Sequence, residues 1–199
     1  MAAPPWATGD GQRPAGGGIV IAMYRDHSLI PSEAVRLCAL GTLAERAHSY
    51  AELAVAVRHF TSRIVGPSLD LLSPSLELLR VEGLIEADAP GGDDAPMRLT
   101  AVGRAELDRL MTARMRGPLG EVSRLILALK LRFLHLLDPA AQRQQLDLLA
   151  EASESELVRL ADLRRTHADE PGHLVEWLDH EIGQLEARLA WLAGLAARL

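Results

Sequence analysis

From Ser32 onward, apolar residues recur every three or four positions, and only a few turn residues interrupt the rhythm. Residues 32–46 place Val35, Leu37, Cys38, Leu40, Leu43 and Ala44 largely on one side of a helix. Ser49 reads as the N-cap of a second helix opening at Tyr50, with Leu53, Val57 and Phe60 inward. A third helix is expected between Ser68 and Glu82, with Leu72, Leu76 and Leu79 as core positions. Pro74 falls in its first or second turn, where a missing N–H costs least, and Gly83 ends it. Apolar clusters at Leu84–Asp88 and Met97–Thr100 flank "APGGDDAP", which predicts a hairpin with a loop longer than two residues. Thr100 can cap the helix that follows, "AVGRAELDRLMTARM". Three helices, a hairpin and a further helix form the layout of a winged helix-turn-helix.

Gly117-Pro118 marks a boundary. Three long helical stretches follow, separated at Asp138-Pro139 and Pro171-Gly172. In the last of them Leu174, Leu178, Ile182, Leu185, Leu189 and Leu192 form a coiled-coil-like seam. Phe133, Leu134, Leu136 and Leu137 make the first stretch apolar over much of its girth, more than two neighbouring helices cover easily, so a second subunit is expected. The predicted fold is mainly α: an N-terminal winged helix-turn-helix with a small β-hairpin wing, then a C-terminal antiparallel helical dimerisation domain. The expected division is a flexible leader or arm at residues 1–30, the winged domain at 31–116 and the dimerisation domain at 117–199.

Composition changes this picture little. The chain has 199 residues, 48% apolar and 24% charged, as an ordinary globular protein does. The first eighteen residues are rich in Gly, Pro and Ala and are expected to be loose. The single cysteine, Cys38, lies in an apolar run and reads as a buried structural thiol in a reducing compartment. Neither a signal sequence nor a membrane-length apolar run is evident, which makes the cytoplasm the expected location. Charge matters more. The net charge is −6, spread as 0 over residues 1–30, −2 over 31–116 and −4 over 117–199. No segment is a basic block, so any contact with nucleic acid must come from a local patch.

"LSPSLELLRVEGLIE", followed after the turn by "MRLTAVGRAEL", resembles the recognition helix and wing of PadR-like transcriptional regulators. Pro74, Leu76, Leu79, Glu82, Gly83, Leu84, Ile85, Arg98, Leu99, Thr100 and Gly103 match that family's pattern by position. "ALGTLAERAHSYAEL" upstream, with "FLHLLDP" and "EARLAWL" downstream, extends the likeness over about residues 32–199, to the subtype with a long C-terminal helical region. The resemblance implies a homodimeric DNA-binding regulator, a repressor of transcription. Two departures stand out: the family's tyrosine in the recognition helix falls at Ser73, and the wing tip, basic in the family, carries Asp93 and Asp94.

Phosphate neutralisation gives affinity for DNA, and side chains at base edges give sequence reading. The candidate DNA-binding residues are Ser49 and Tyr50 at the entry to the second helix, Arg58, His59 and Arg63 along and after it, Ser68, Ser73 and Ser75 on the third, and Arg98 at the base of the wing. Arg58, Arg63 and Arg98 are assigned to the backbone, and Ser73 and Ser75 to bases. Trp177 and Trp191, fourteen residues apart on one side of the last helix, could wall in a small apolar or aromatic effector or pack against a partner. His173, Glu176 and His180 share a helix face, but their spread over two turns suits solvated histidines better than a metal site. No nucleophile with a base, phosphate-binding glycine loop or paired carboxylates is in frame, so neither enzyme activity nor a cofactor is expected. The competing class is a dimeric adaptor that keeps the winged fold and binds a protein or small ligand instead of DNA.

Overall fold

The structure, a computed structural model, describes residues 29–66, 72–88, 95–115 and 120–199, with the backbone alone over 72–75. The leader, the loop before the third helix with Ser68, and the wing tip with Asp93 and Asp94 lie outside the described residues. The elements run α1 (Pro31–Glu45), α2 (Tyr50–Val65), α3 (Leu72–Val81), β1 (Ile85–Ala87), β2 (Met97–Leu99), α4 (Ala101–Thr112), α5 (Glu121–Arg132), a 3-10 turn (Leu134–Leu136), α6 (Pro139–Thr166) and α7 (Leu174–Ala196). No helix among the described residues is long and apolar enough to cross a membrane.

α1 departs from the amphipathic helix expected of it. Residues 37–43 are all buried, so its middle has no solvent face. α2, α3, α4, α5 and β2 surround it. Its one hydroxyl in that stretch, Thr42, turns inward to donate to the Cys38 carbonyl at 2.7 Å. Burial pushes the Cys38 thiol up to about 12, which keeps it protonated and inert. α5 presses closely on α1: a Cβ at Gly41 would meet the Phe133 ring at 2.4 Å. α5 therefore contributes Leu125, Ile126, Leu129 and Phe133 to the same core as α1–α4.

The hairpin is tied to α4 by a compact lock. β1 and β2 pair antiparallel with Glu86 opposite Arg98, and His48 adds an isolated bridge to Met97. Thr100 caps α4 by accepting from the Gly103 amide at 3.0 Å, while its hydroxyl donates to the Gly83 carbonyl at 2.7 Å. Its own amide bonds the Leu84 carbonyl at 3.1 Å. A Cβ at position 103 would stand 1.9 Å from that Leu84 oxygen, so only glycine lets α4 come this close. The Gly-Leu-Ile, Arg-Leu-Thr and Gly103 text is the written form of this contact.

α6 and α7 form an antiparallel pair closed by a turn through Gly172, whose φ of 107° suits glycine. Their interface splits into two small cores, Leu134–Leu146–Leu149–Leu192 and Leu160–Leu178–Leu185. The seam expected to meet a second subunit is thus filled largely from within the chain: Leu178, Leu185 and Leu192 are buried, and Ile182 packs beside them. The reason is connectivity. A short turn between two long apolar-striped helices lets each cover the other first.

Lys130 on α5 stands where α4, α5 and α6 meet. It is the chain's only lysine, against twenty arginines, and is 1% exposed. Its ammonium donates to the carbonyls of Met111 and, at 3.4 Å, Leu110, and to Gln145 Oε1 at 2.9 Å. Those carbonyls end α4, where the chain turns extended at Ala113 and its following amides cannot reach back. Burial lowers the Lys130 ammonium to about 7, from an ordinary 10.5.

Two outcomes follow from these contacts. Gly103→Ala should cost about 1–3 kcal/mol or more by urea unfolding, as overpacking against rigid backbone does; an unchanged midpoint would remove the close approach from the account. A protein with a single lysine gives one lysine Cε signal after ¹³C-lysine labelling. Its titration midpoint is expected near 7 when folded and near 10.5 in denaturant. Between those values the unfolded chain holds the extra proton, so the Lys130 contribution to stability rises with pH, by about 1.4 kcal/mol per unit. A folded midpoint near 10 would contradict the burial.

Candidate nucleic-acid interface

α2 begins with a capping box: Ser49 accepts from the Glu52 amide at 3.3 Å, and Glu52 accepts from the Ser49 amide at 2.9 Å. Those bonds hold the Glu52 carboxyl below its usual range. Ser49 is therefore first a cap, and Tyr50 is partly buried against the main core. Leu53, Val57 and Thr61 face inward, which leaves the opposite side of α2 to solvent.

That outer side carries the cations. Arg58, His59 and Arg63 are exposed. His59 and Arg63 lie one turn apart on the same face, whereas Arg58, about 140° round the helix from Arg63, occupies a flank. Arg46, just before α2, joins the outer face. With His48, Ala51, Glu52, Val55, Ala56 and His59 it lines an open groove of about 480 Å³. Arg46 donates to His48 Nε2 at 3.2 Å, and His48 is buried against the wing through its bridge to Met97. Sequence reasoning missed Arg46, although the signal was there: it sits three residues before the N-cap. Among the described residues Arg46, Arg58 and Arg63 form no ion pair. Glu52, the one carboxylate on α2, is engaged by the cap.

Arg98 behaves differently. Its guanidinium is shared between Glu86 at 3.0 Å and Asp88 at 3.1 Å, both on the facing strand or just beyond it. All three side chains are half-exposed, so the pairs are weak, but they neutralise the base of the wing. Ser73 and Ser75 lie on the first half of α3, their side chains outside the description.

On α7, Trp177 and Trp191 are 52% and 50% exposed. Fourteen residues of helix separate them by about 21 Å, too far for one small aromatic molecule to touch both within a subunit. His173 pairs with Glu176 at 3.1 Å and His180 with Gln184 at 2.6 Å, and no group of side chains among the described residues could hold a metal ion.

The chain matches the family model of AphA-like transcriptional regulators over residues 24–196. No curated protein matches it. Among solved structures it is similar to Bacillus subtilis PadR in complex with p-coumaric acid, with 16% identity, 83% of this chain and 98% of that one covered, and a TM-score of 0.36. It is similar also to Bacillus subtilis PadR in complex with operator DNA, with 16% identity, coverage of 82% and 98%, and a TM-score of 0.34. A PadR-like transcriptional regulator from Bacillus cereus matches with 18% identity, coverage of 82% and 96%, and a TM-score of 0.36. The family match reaches from before α1 to the last residue of α7, the winged helix and the helical pair together. The chain belongs to the AphA-like transcriptional regulators, a family of regulators and not of enzymes.

Proposed function

We propose that the chain is a homodimeric, sequence-specific DNA-binding repressor. The observation that carries this reading is the cluster of cations on and before α2: among the described residues Arg46, Arg58 and Arg63 form no ion pair, and the one carboxylate on α2, Glu52, is engaged by its cap. Unpaired guanidinium groups beside a winged helix suit phosphate oxygens, which take them bidentately. In this reading α3 enters the major groove with Ser73 and Ser75 toward base edges, Ser68 precedes it, and Arg46, His59 and Arg63 hold the flanking backbone, with Arg58 to one side. The α2 capping box, Ser49 with Tyr50 beside it, fixes the entry of that helix. Arg98 contributes little, because Glu86 and Asp88 already satisfy it.

The second subunit takes the outer side of α7, where Trp177 and Trp191 are exposed at 52% and 50%, and the two indoles serve the partner rather than an effector. The functional division falls after α5, which shares the winged-helix core. Two recognition helices then reach successive major grooves of a pseudo-palindrome.

Selection from a random duplex pool at low and near-physiological salt should retain a palindromic motif. Arg58→Ala and Arg63→Ala should each weaken binding to every sequence and lower the salt slope by about 1, while Arg98→Ala changes it less. No motif at either salt, together with slopes untouched by Arg63→Ala, would move the non-DNA adaptor ahead.

A further inference from the structure

Buried ammonium groups are rare because taking charge out of water costs several kcal/mol even after relaxation. Among the described residues Lys130 is the only buried member of the Lys, Arg, Asp and Glu set. It has no carboxylate partner; burial alone moves its proton affinity. What it does have is three oxygen acceptors for three N–H donors, two from the end of α4 and one, Gln145 Oε1, from α6. Gln145 is 1% exposed as well.

The position explains the choice of residue. α4 ends the winged helix, α5 packs into the winged-helix core, and α6 opens the helical pair. Where these meet, the α4 carbonyls would be left without partners, and a methionine of similar length could not satisfy them. Arginine, used at every other basic position in the chain, is too wide and too rigid to cap two helix-end carbonyls and reach a glutamine from one nitrogen. Elsewhere between the same two bodies Arg114 pairs with Glu151 at 3.6 Å, but both are exposed and such a pair fixes little geometry.

We propose that Lys130 and Gln145 form the joint that fixes the winged helix against the α6–α7 pair, and so sets the half-site spacing that a dimer accepts on DNA. Both are positioning residues, remote from the DNA face. The spacing half of the statement rests on the dimeric DNA-binding reading above; the joint itself does not.

The test keeps those two parts apart. Spin labels placed at Val102→Cys on α4 and Val158→Cys on α6, exposed at 62% and 69%, report the distance between the two bodies in subunits diluted with unlabelled protein. Cys38 is buried and stays unlabelled. Lys130→Met and Gln145→Leu are each expected to broaden that distance distribution; Gln145→Leu leaves Lys130 on both α4 carbonyls and serves where Lys130→Met does not fold. A width unchanged in Gln145→Leu overturns the joint. In parallel, the selected palindrome is compared with versions one base pair longer or shorter and with a single half-site. The parent should discriminate spacing about tenfold and the variants hardly at all, with half-site affinity the same, because a looser joint lowers effective concentration and not contact. Variants that keep the parent's spacing preference overturn the link to DNA. Broadened distances in a protein that binds no duplex would retire the DNA reading and leave the joint standing.

Discussion

Everything in the first two-thirds of the chain depends on α1 being buried on every side. A helix with residues 37–43 out of water can be satisfied only if several elements close round it together. α2, α3, α4, β2 and α5 do so, and all five pack directly on α1. The constraint explains details that look unrelated. Gly41 leaves room for the Phe133 ring, Thr42 folds its hydroxyl back onto the helix, and Cys38 is an inert thiol. It also explains why α5 belongs with the winged helix. Phe133 is the lid on the α1 surface that the other elements do not reach.

Polar groups are distributed with similar economy. A surface chain of ion pairs, Glu33–Arg109–Glu106–Arg36–Glu82, ties α1, the end of α3 and α4 together. The bonds from Arg109 hold the Glu106 carboxyl below its usual range. Each pair is partly exposed and individually weak; the network works by sharing each guanidinium between two elements. Inside, a guanidinium is replaced by the one lysine, where a compact three-donor head fits and a planar fork does not.

Local features were legible in the sequence because their causes are local. Ser49 and Thr100 cap and Gly83 ends the helices their positions imply, Asp138-Pro139 separates two helices as expected, and the two strands fall within the expected apolar runs. The pairing of Arg98 needed the strand register, which a loop of unknown geometry hides. The burial of α1 was illegible for a deeper reason. "AVRLCALGTLAERA" reads as one-sided until five other elements are placed around it. The leucine seam of α7, expected to meet a second subunit, packs in part against α6 of the same chain, since periodicity specifies that a face is covered and not by what. Lys130 did leave a mark: a lone lysine among twenty arginines, with Ile126, Leu127, Phe133 and Leu134 as its helix-face neighbours.

The acidic balance of the chain and a role on DNA are compatible because the acids are spent locally. The excess lies in the C-terminal region, at −4 over residues 117–199, away from α2. There Arg159, Arg164 and Arg165 are consumed by Glu156, Asp179 and Asp162. In the winged helix several carboxylates are engaged: Glu52 by its cap, Glu82 and Glu106 by Arg36, Glu86 and Asp88 by Arg98. Over a screening length of roughly 8–10 Å at cellular salt, a phosphate near Arg63 responds chiefly to charges in that neighbourhood. In the DNA-binding reading proposed above, the net charge discourages non-specific adhesion to nucleic acid, and a duplex is held where it meets the cations of α2 together.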